Sequence, residues 1–382
     1  MIFMTQLKKY KDRVVKKLNR TMFTSDDYAY MSQALQLAER GLYSTSPNPH
    51  VGCVIVRGGK ITGSGWHVHA GQPHAEINAL NVAGEAAQGA TVYLTLEPCS
   101  HYGRTHPCAE ALIRAKVAKV IIAMQDPNPL VAGKGVSLLK QSGINVLVGL
   151  MEEKAKDLNV GFVSRMTNNR PWVRMKIAAS IDGKTALNNG VSQWITGEAA
   201  RHDGHRLRAR SCAVLTGIGT VLEDDPQLSV RFIETPRQPL RIIIDSRLEI
   251  PTTARVLRGE GELIFTTNDN KERIAALKEA GARPIILPNE KGKIDLTKLM
   301  QILSDFEINE VLVEAGNKLN GSFIKAGLVD ELVIYLAPHL IGNRAMGMLQ
   351  LPELTDLSEK YNLKIKDLRM VGEDIRIMTR FF

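Results

Sequence analysis

One imidazole, one carboxylate and two thiols in this chain are spaced for hydrolytic chemistry. His74 and Glu76 stand two apart in Pro73-His74-Ala75-Glu76, Cys99 ends Glu97-Pro98-Cys99, and Cys108 follows after eight further residues. Imidazole nitrogen and thiolate sulfur are ligands of tetrahedral zinc, and three protein ligands leave the fourth position open. Zinc ionises water near neutral pH instead of near pH ~16, and a glutamate that is not a ligand can carry a proton to a departing amine. The expectation is one Zn²⁺ per chain held by His74, Cys99 and Cys108, with Glu76 as the catalytic proton shuttle of a hydrolytic deamination.

H-x-E followed by P-C-x-x-C is the signature of zinc deaminases. The second half departs from it here, because Ser100 to Pro107 separates the two cysteines. Pro107 suits the first turn of a helix from Cys108 to Ala115, which puts the Cys108 sulfur at a helix N-terminus, where a thiolate is favoured. The longer loop leaves room for an arm that touches substrate. His69, His101 and His106 compete as ligands, and on sequence alone either of the last two could replace a cysteine. Three ligands already fill a catalytic site, so both are read as loop or substrate residues.

Such ligands need strand ends and helix starts to hold them. Ser25, with Asp26 and Asp27 behind it, predicts the N-cap of a first helix that buries Tyr28, Met31, Ala34, Leu35 and Ala38 and ends near Gly41. Val51 to Val56 reads as a strand, Gly58-Gly59 turns it, and Ile61 to Trp66 returns beside it. A helix opens near His74, and a strand from Ala90 to Leu96 delivers Cys99. Strand Lys119 to Met124, helix Val136 to Gln141 and strand Ile144 to Val148 complete a βα alternation, which predicts a largely parallel sheet with helices on both faces. Sites in such sheets sit at the strands' C-terminal ends.

At 382 residues, 44% of them apolar, the chain is long enough for two cores. A charged stretch from Glu152 to Arg170 reads as a connecting segment, giving a deaminase domain over 25–168 and a second domain over 171–382. The net charge of +9 invites a nucleic-acid reading, but seven Lys and Arg residues against one acid fall in residues 1–24. Most of the excess therefore belongs to a basic N-terminal extension, read as a solvated leader or as translation assigned upstream of Met4 or Met22, with a polyanion-binding arm as the alternative. Aromatic residues make up 5% and do not cluster with Lys and Arg, which argues against a nucleic-acid groove. No apolar run reaches the ~20 residues of a membrane span. Cys53 and Cys212 sit in apolar runs as small core residues, so the protein is expected to be cytoplasmic.

The second domain opens with a strand from Trp172 to Ala179 and a turn at Ile181 to Thr185. A helix from Glu198 to Ala209, a strand from Cys212 to Thr216, a loop from Gly217 to Pro226 and strands at Leu240, Glu262, Pro284 and Glu310 follow. Glu331 to Ala337, Leu363 to Met370 and Asp374 to Met378 read as antiparallel strands added at an edge, for an α/β domain with a mixed sheet. Between Val313 and Ser322 the chain leaves a strand and enters a helix. Glycines there let backbone N–H groups approach a phosphate, and the helix dipole helps. The run is neither G-x-G-x-x-G nor a Walker loop, so a plain βα turn competes with that reading.

Pro47-Asn48-Pro49, Gly52-Cys53-Val54-Ile55-Val56, Pro73-His74-Ala75-Glu76, Thr95-Leu96-Glu97-Pro98-Cys99-Ser100-His101 and Gln125-Asp126-Pro127-Asn128-Pro129 together resemble the bifunctional deaminase/reductase family of riboflavin biosynthesis, RibD, over nearly the whole chain from Ser25. The resemblance implies a cytidine-deaminase-like three-layer α/β/α domain followed by a dihydrofolate-reductase-like α/β domain with a mixed sheet. It implies deamination of a diaminopyrimidinone ribosylamine phosphate, then reduction of the ribosyl group to ribityl with NADPH. Asn48, His67 and Arg104 match substrate contacts of the deaminase, and Ser192, Arg208, Leu228, Arg231 and Glu314 match those of the reductase. Ala178, Trp194, Thr220, Asp224, Ser246 and the run Gly316, Asn317, Lys318, Leu319, Asn320, Gly321, Ser322 match NADPH contacts. Arg208 and Arg231 suit a ribose phosphate, as Arg104 does. Asp224 and Glu314 are candidates for the reductase proton donor, which stays unassigned. The partner implied is this small molecule, not nucleic acid or a membrane, with a homo-oligomer left open. A nucleic-acid deaminase and a zinc-structured scaffold are the rival classes; the scaffold would more often show four protein ligands and would need no Glu76.

Overall fold

The computed structural model describes residues 22–100, 106–259 and 261–381. The basic leader, save its last three residues, and Arg104 and His101 in the ligand loop lie outside the described residues. The chain divides into two compact units between Thr167 and Asn168.

In the first unit, helix α1 (Ser25–Glu39) is capped by Thr24 rather than by Ser25. The Asp27 N–H donates to the Thr24 hydroxyl (3.2 Å) and the Thr24 N–H donates to the Asp27 carboxylate (2.8 Å), so two otherwise orphaned donors are satisfied reciprocally. Asp27, not Tyr28, takes the buried place on this helix, and Tyr28 is 38% exposed. The Tyr93 hydroxyl donates to the other Asp27 oxygen (2.7 Å), which makes the buried carboxylate tolerable. Phe23 already packs into this core.

Strands β1 (Gly52–Arg57), β2 (Lys60–Trp66), β3 (Thr91–Leu96), β4 (Lys119–Met124) and β5 (Asn145–Val148) form one sheet in the order β2-β1-β3-β4-β5. β1 runs antiparallel to both neighbours, and only β3, β4 and β5 are parallel. The sheet is thus mixed rather than largely parallel, because Gly58 and Gly59, both at positive φ, close β1 and β2 into a tight hairpin. Helix α2 (Ala75–Ala83) buries Ala75, Ala79 and Ala83. A Cβ on Gly63 of β2 would stand 2.3 Å from the Ala79 carbonyl oxygen. Glycine there lets the helix backbone rest on the strand and fixes the helix that carries His74 and Glu76. Helices α3 (Cys108–Arg114) and α4 (Lys134–Gln141) complete the βα alternation.

The stretch read as a connecting segment is instead two helices of the first unit, α5 (Glu152–Leu158) and α6 (Val160–Asn168), with Ala155, Leu158 and Val160 buried. The charges that suggested a linker lie on a solvent face, where Lys156 pairs with Glu152 at 2.7 Å across one helical turn.

The second unit contains β6 (Trp172–Ser180), β7 (Lys184–Ala186), α7 (Glu198–Arg210), β8 (Ala213–Gly217), α8 (Ile218–Asp224), β9 (Leu240–Ile244), β10 (Leu263–Thr266), α9 (Lys271–Glu279), β11 (Arg283–Ile286), α10 (Leu296–Asp305), β12 (Glu310–Val313), α11 (Asn317–Lys325), β13 (Glu331–Ala337), β14 (Met346–Gly347), β15 (Leu363–Val371) and β16 (Asp374–Phe381). Nine strands make one sheet in the order β11-β10-β9-β8-β12-β6-β13-β16-β15. β13 is parallel to β6, contrary to expectation, because α11 carries the chain back across the sheet; the ladder turns antiparallel only at β16. α8 replaces an expected loop; its seven residues bury only Val221, too little periodicity to see in sequence. β6, β8, β9 and β12 are mutually parallel, so their C-terminal ends share one edge. Among the described residues no helix is long and apolar enough to cross a membrane.

Candidate active sites

In the first unit three chain segments converge. β3 ends at Leu96 just before Cys99, α3 begins at Cys108, and His74 is the N-cap residue of α2. His74 Nδ1 lies 3.3 Å from the Cys108 sulfur and 3.7 Å from the Cys99 sulfur, and all three atoms lie within 4.8 Å of one another. Tetrahedral bonds of ~2.0 Å to nitrogen and ~2.3 Å to sulfur imply a nitrogen–sulfur edge of about 3.5 Å, so the trio fits zinc as it stands. Neither His69 nor His106 belongs to the cluster.

The Cys108 N–H, in the first turn of α3, donates to the Cys99 sulfur at 3.3 Å. Sharing the Cys108 proton brings Cys99 down to about 4 against the opposing effect of burial, and pushes Cys108 up. The pair therefore presents a thiolate readily. Glu76, 3% exposed, is pushed up to about 7 chiefly by burial, with His74 pulling it down and Cys99 adding to the rise. A carboxyl that gains and loses its proton near neutrality suits a shuttle.

His67 is placed differently from Asn48. Its Nδ1 donates to the Pro73 carbonyl (3.2 Å), so Nε2 is the acceptor and takes the Asn48 amide N–H (3.0 Å). With both nitrogens engaged and burial favouring the neutral ring, His67 orients Asn48.

In the second unit Ala178 lies on β6, Thr220 and Asp224 on α8, Ser246 just past β9 and Glu314 just past β12. The Ser192 hydroxyl and the Gln193 amide donate to Asp224 (3.4 and 3.0 Å). Trp194 is exposed, with Arg201 over its ring. Gly316 is the N-cap residue of α11 and offers no side-chain cap, so the helix's first N–H groups suit a phosphate. Gly316, Asn317, Lys318, Leu319 and Ser322 are at least partly exposed, whereas Asn320 and Gly321 are buried. The Asn320 amide donates to the Ala315 carbonyl (3.0 Å), and a Cβ on Gly321 would stand 2.1 Å from the Gln350 carbonyl oxygen. These two shape the loop from inside. Asp245 is also inward, accepting from the Arg247 and Ile250 N–H groups (3.3 and 2.8 Å).

Arg208 is not open toward a phosphate. It grips Glu314 with two bonds (2.6 and 3.0 Å) and donates to the Ser229 carbonyl (3.2 Å). Burial would raise Glu314, but Arg208 and Lys176 hold it down at about 2. Leu228 buries its side chain in the core, while Arg231 is exposed.

A family model described as "Cytidine and deoxycytidylate deaminase zinc-binding region" matches residues 24–124, and one described as "RibD C-terminal domain" matches residues 171–377. The riboflavin biosynthesis protein RibD of Escherichia coli K12 is 48% identical over 364 residues, covering 92% of this chain and 98% of its own. The chain belongs to the RibD family. Among solved structures, Acinetobacter baumannii RibD, form 1, is 45% identical with a TM-score of 0.87, and the alignment covers 94% of this chain and 99% of that one. A Thermotoga maritima protein described as a diaminohydroxyphosphoribosylaminopyrimidine deaminase/5-amino-6-(5-phosphoribosylamino)uracil reductase is 31% identical, with a TM-score of 0.83 and the same coverage of each chain. Like its family, the chain is a bifunctional riboflavin-biosynthesis enzyme, a zinc-dependent deaminase and an NADPH-dependent reductase.

Sequence reasoning missed Lys176. It lies on β6, partly buried, with Nζ 3.8 Å from Glu314. Its signal was present, since Lys176 and Ala178 are two apart on one strand and so share a side of it. It also missed His205, whose Nδ1 accepts from the Arg231 N–H (3.1 Å) and anchors the loop bearing that arginine.

Proposed function

We propose that the first unit hydrolyses the 2-amino group of a diaminopyrimidinone ribosylamine phosphate and that the second reduces the deaminated product to its ribityl form. His74, Cys99 and Cys108 would hold zinc, which supplies a water activated at neutral pH. Glu76 takes up a proton at its carboxylate and delivers it to the departing amine. Asn48, turned by His67, meets the pyrimidine. In the second unit, NADPH would supply the hydride, and the first N–H groups of α11 would hold its phosphate. Arg231 anchors the substrate phosphate. Glu314, kept ionised and oriented by Arg208, accepts from a sugar hydroxyl. Lys176 supplies the proton taken up by the sugar oxygen released when the ring opens.

The observation that carries this reading is the convergence of the His74, Cys99 and Cys108 ligand atoms beside a buried Glu76. Given the amino substrate, the enzyme should release ammonia before it consumes NADPH. NADPH oxidation with no ammonia release would overturn the order.

A second copy of the chain is the partner we infer for the reductase sheet. An irregularity between Ile365 and Asp367 keeps Leu363, Ile365, Leu368 and Met370 on one face of β15, and Leu368 and Met370 pair with Ile377 and Ile375 of β16. The four β15 residues are 39–62% exposed. An apolar edge of this size suits an isologous contact. We also place the protein in the cytoplasm, where Cys99 and Cys108 stay reduced and able to bind metal.

A further inference from the structure

The loop carrying Asn48 has few backbone donors of its own: Pro47 and Pro49 on either side of it have no N–H, and the Asn48 N–H is spent on the Thr45 carbonyl (2.8 Å). It is also held from the other end of its own unit. Asn159, 2% exposed between α5 and α6, faces His50 across 109 residues of sequence. Its amide oxygen accepts from the His50 N–H (2.7 Å), and its amide nitrogen donates to the carbonyls of His50 (3.0 Å) and Ala155 (3.3 Å). The side chain thus pairs with one residue's backbone at both groups, as a strand neighbour would. From α6, Arg165 donates to the Pro47 carbonyl at 3.3 Å. The backbone is therefore pinned just before and just after Asn48-Pro49, while His67 fixes the Asn48 side chain.

These bonds are not what keeps α5 and α6 folded on the unit. Ala155, Leu158 and Val160 are buried there in their own right. The amide pair adds direction, which is what a loop presenting one side chain to a substrate needs.

We propose that Asn159, supported by Arg165, is a positioning residue of the deaminase. It sets the Asn48 loop so that a bound pyrimidine meets Glu76 in register, and it makes the helices that follow β5 part of the deaminase site's support. This inference rests on the reading of Asn48 as a substrate contact.

The test is Asn159→Asp, nearly equal in volume, which keeps an acceptor for the His50 N–H and turns an oxygen against two carbonyls. Misplacing a substrate-positioning group can lower a rate by about 10²-fold. Deaminase kcat/KM of the folded enzyme should fall by roughly that factor, while zinc content and reduction of already deaminated substrate stay at wild-type values. Arg165→Met should give a smaller loss of the same kind. Added to Asn48→Ala, Asn159→Asp should cost little more, since both act through one side chain. Fully additive losses, equal loss of both activities, or wild-type deamination by Asn159→Asp when Asn48→Ala is crippled would each overturn the inference. An Asn48→Ala enzyme of full activity would instead remove the reading on which it rests.

Discussion

Replacing Lys176 with methionine should stop reduction without disturbing the site that holds the substrate. Lys176 lies on β6 with its ammonium 3.8 Å from Glu314. Methionine fills much of the same space, and Glu314 keeps both bonds from Arg208 (2.6 and 3.0 Å), so the carboxylate stays ionised and in place. What is lost is the proton donor. General acid catalysis contributes about 10²- to 10⁴-fold, or ~3–5 kcal/mol in the barrier. The kcat for reduction should fall by that factor while the KM for NADPH holds.

The pH profile separates this role from a purely electrostatic one. Burial lowers the Lys176 pKa, and Arg208 lowers it further, while Glu314 pulls it back up. An acid works only when protonated, so wild-type kcat should fall as pH rises through this lowered pKa, earlier than an ordinary lysine would impose. Lys176→Arg keeps the charge but never releases its proton. It should be slow and should show no such alkaline limb. NADPH absorbance, followed with deaminated substrate across a pH series, reads both quantities. A Lys176→Met enzyme with wild-type kcat, or a Lys176→Arg enzyme with the alkaline limb unchanged, would refute the assignment.

Glu76→Gln should retain zinc and fold while deamination drops about 10²- to 10⁴-fold; loss of reduction of deaminated substrate in a folded, zinc-loaded variant would show that the two sites are not independent. Purified enzyme should carry about one zinc per chain by elemental analysis, and Cys99→Ser with Cys108→Ser should lose it; unchanged zinc would remove the trio from the site. Asp245 is engaged by two backbone N–H groups, leaving Lys318 and Ser246 to meet a 2′-phosphate. One charge-assisted bond of ~1.5–3 kcal/mol then favours NADPH over NADH by roughly 10- to 100-fold in kcat/KM, and equal values would refute it. Leu368→Lys with Met370→Lys should shift the light-scattering mass toward the monomer, and an unchanged mass would move the interface elsewhere.

The metal trio was legible because ligand types and spacing carry the chemistry, whatever the loop between them does. The βα order was legible for the same kind of reason, since short apolar runs rich in β-branched residues, such as Ile121-Ile122 and Val311-Leu312-Val313, read as buried strands. The residues that orient others were not. Asn159 is one amide in a charged stretch, and nothing local says that its partner is 109 residues away. Arg208 has the right chemistry for a phosphate, and only the fold shows its fork already filled by Glu314. Asp27 displaced Tyr28 from the core because Tyr93, from another strand, supplies the hydrogen bond that makes a buried carboxylate tolerable.

Glu76 and Glu314 show how environment divides roles between identical side chains. Burial pushes Glu76 up to about 7, with His74 only partly opposing it. Glu314 is partly buried, yet Arg208 and Lys176 hold it at about 2. At neutral pH the first can carry a proton in either direction, and the second cannot give one. Held ionised, Glu314 suits an acceptor and an orienting anion, which argues against it as the reductase acid. Asp224 is taken up by Ser192 and Gln193, in a cluster that suits holding a ligand's hydroxyls better than releasing a proton. The ammonium of Lys176, its pKa lowered by burial and 3.8 Å from a carboxylate that stays ionised, is the group we propose to supply the proton for ring opening.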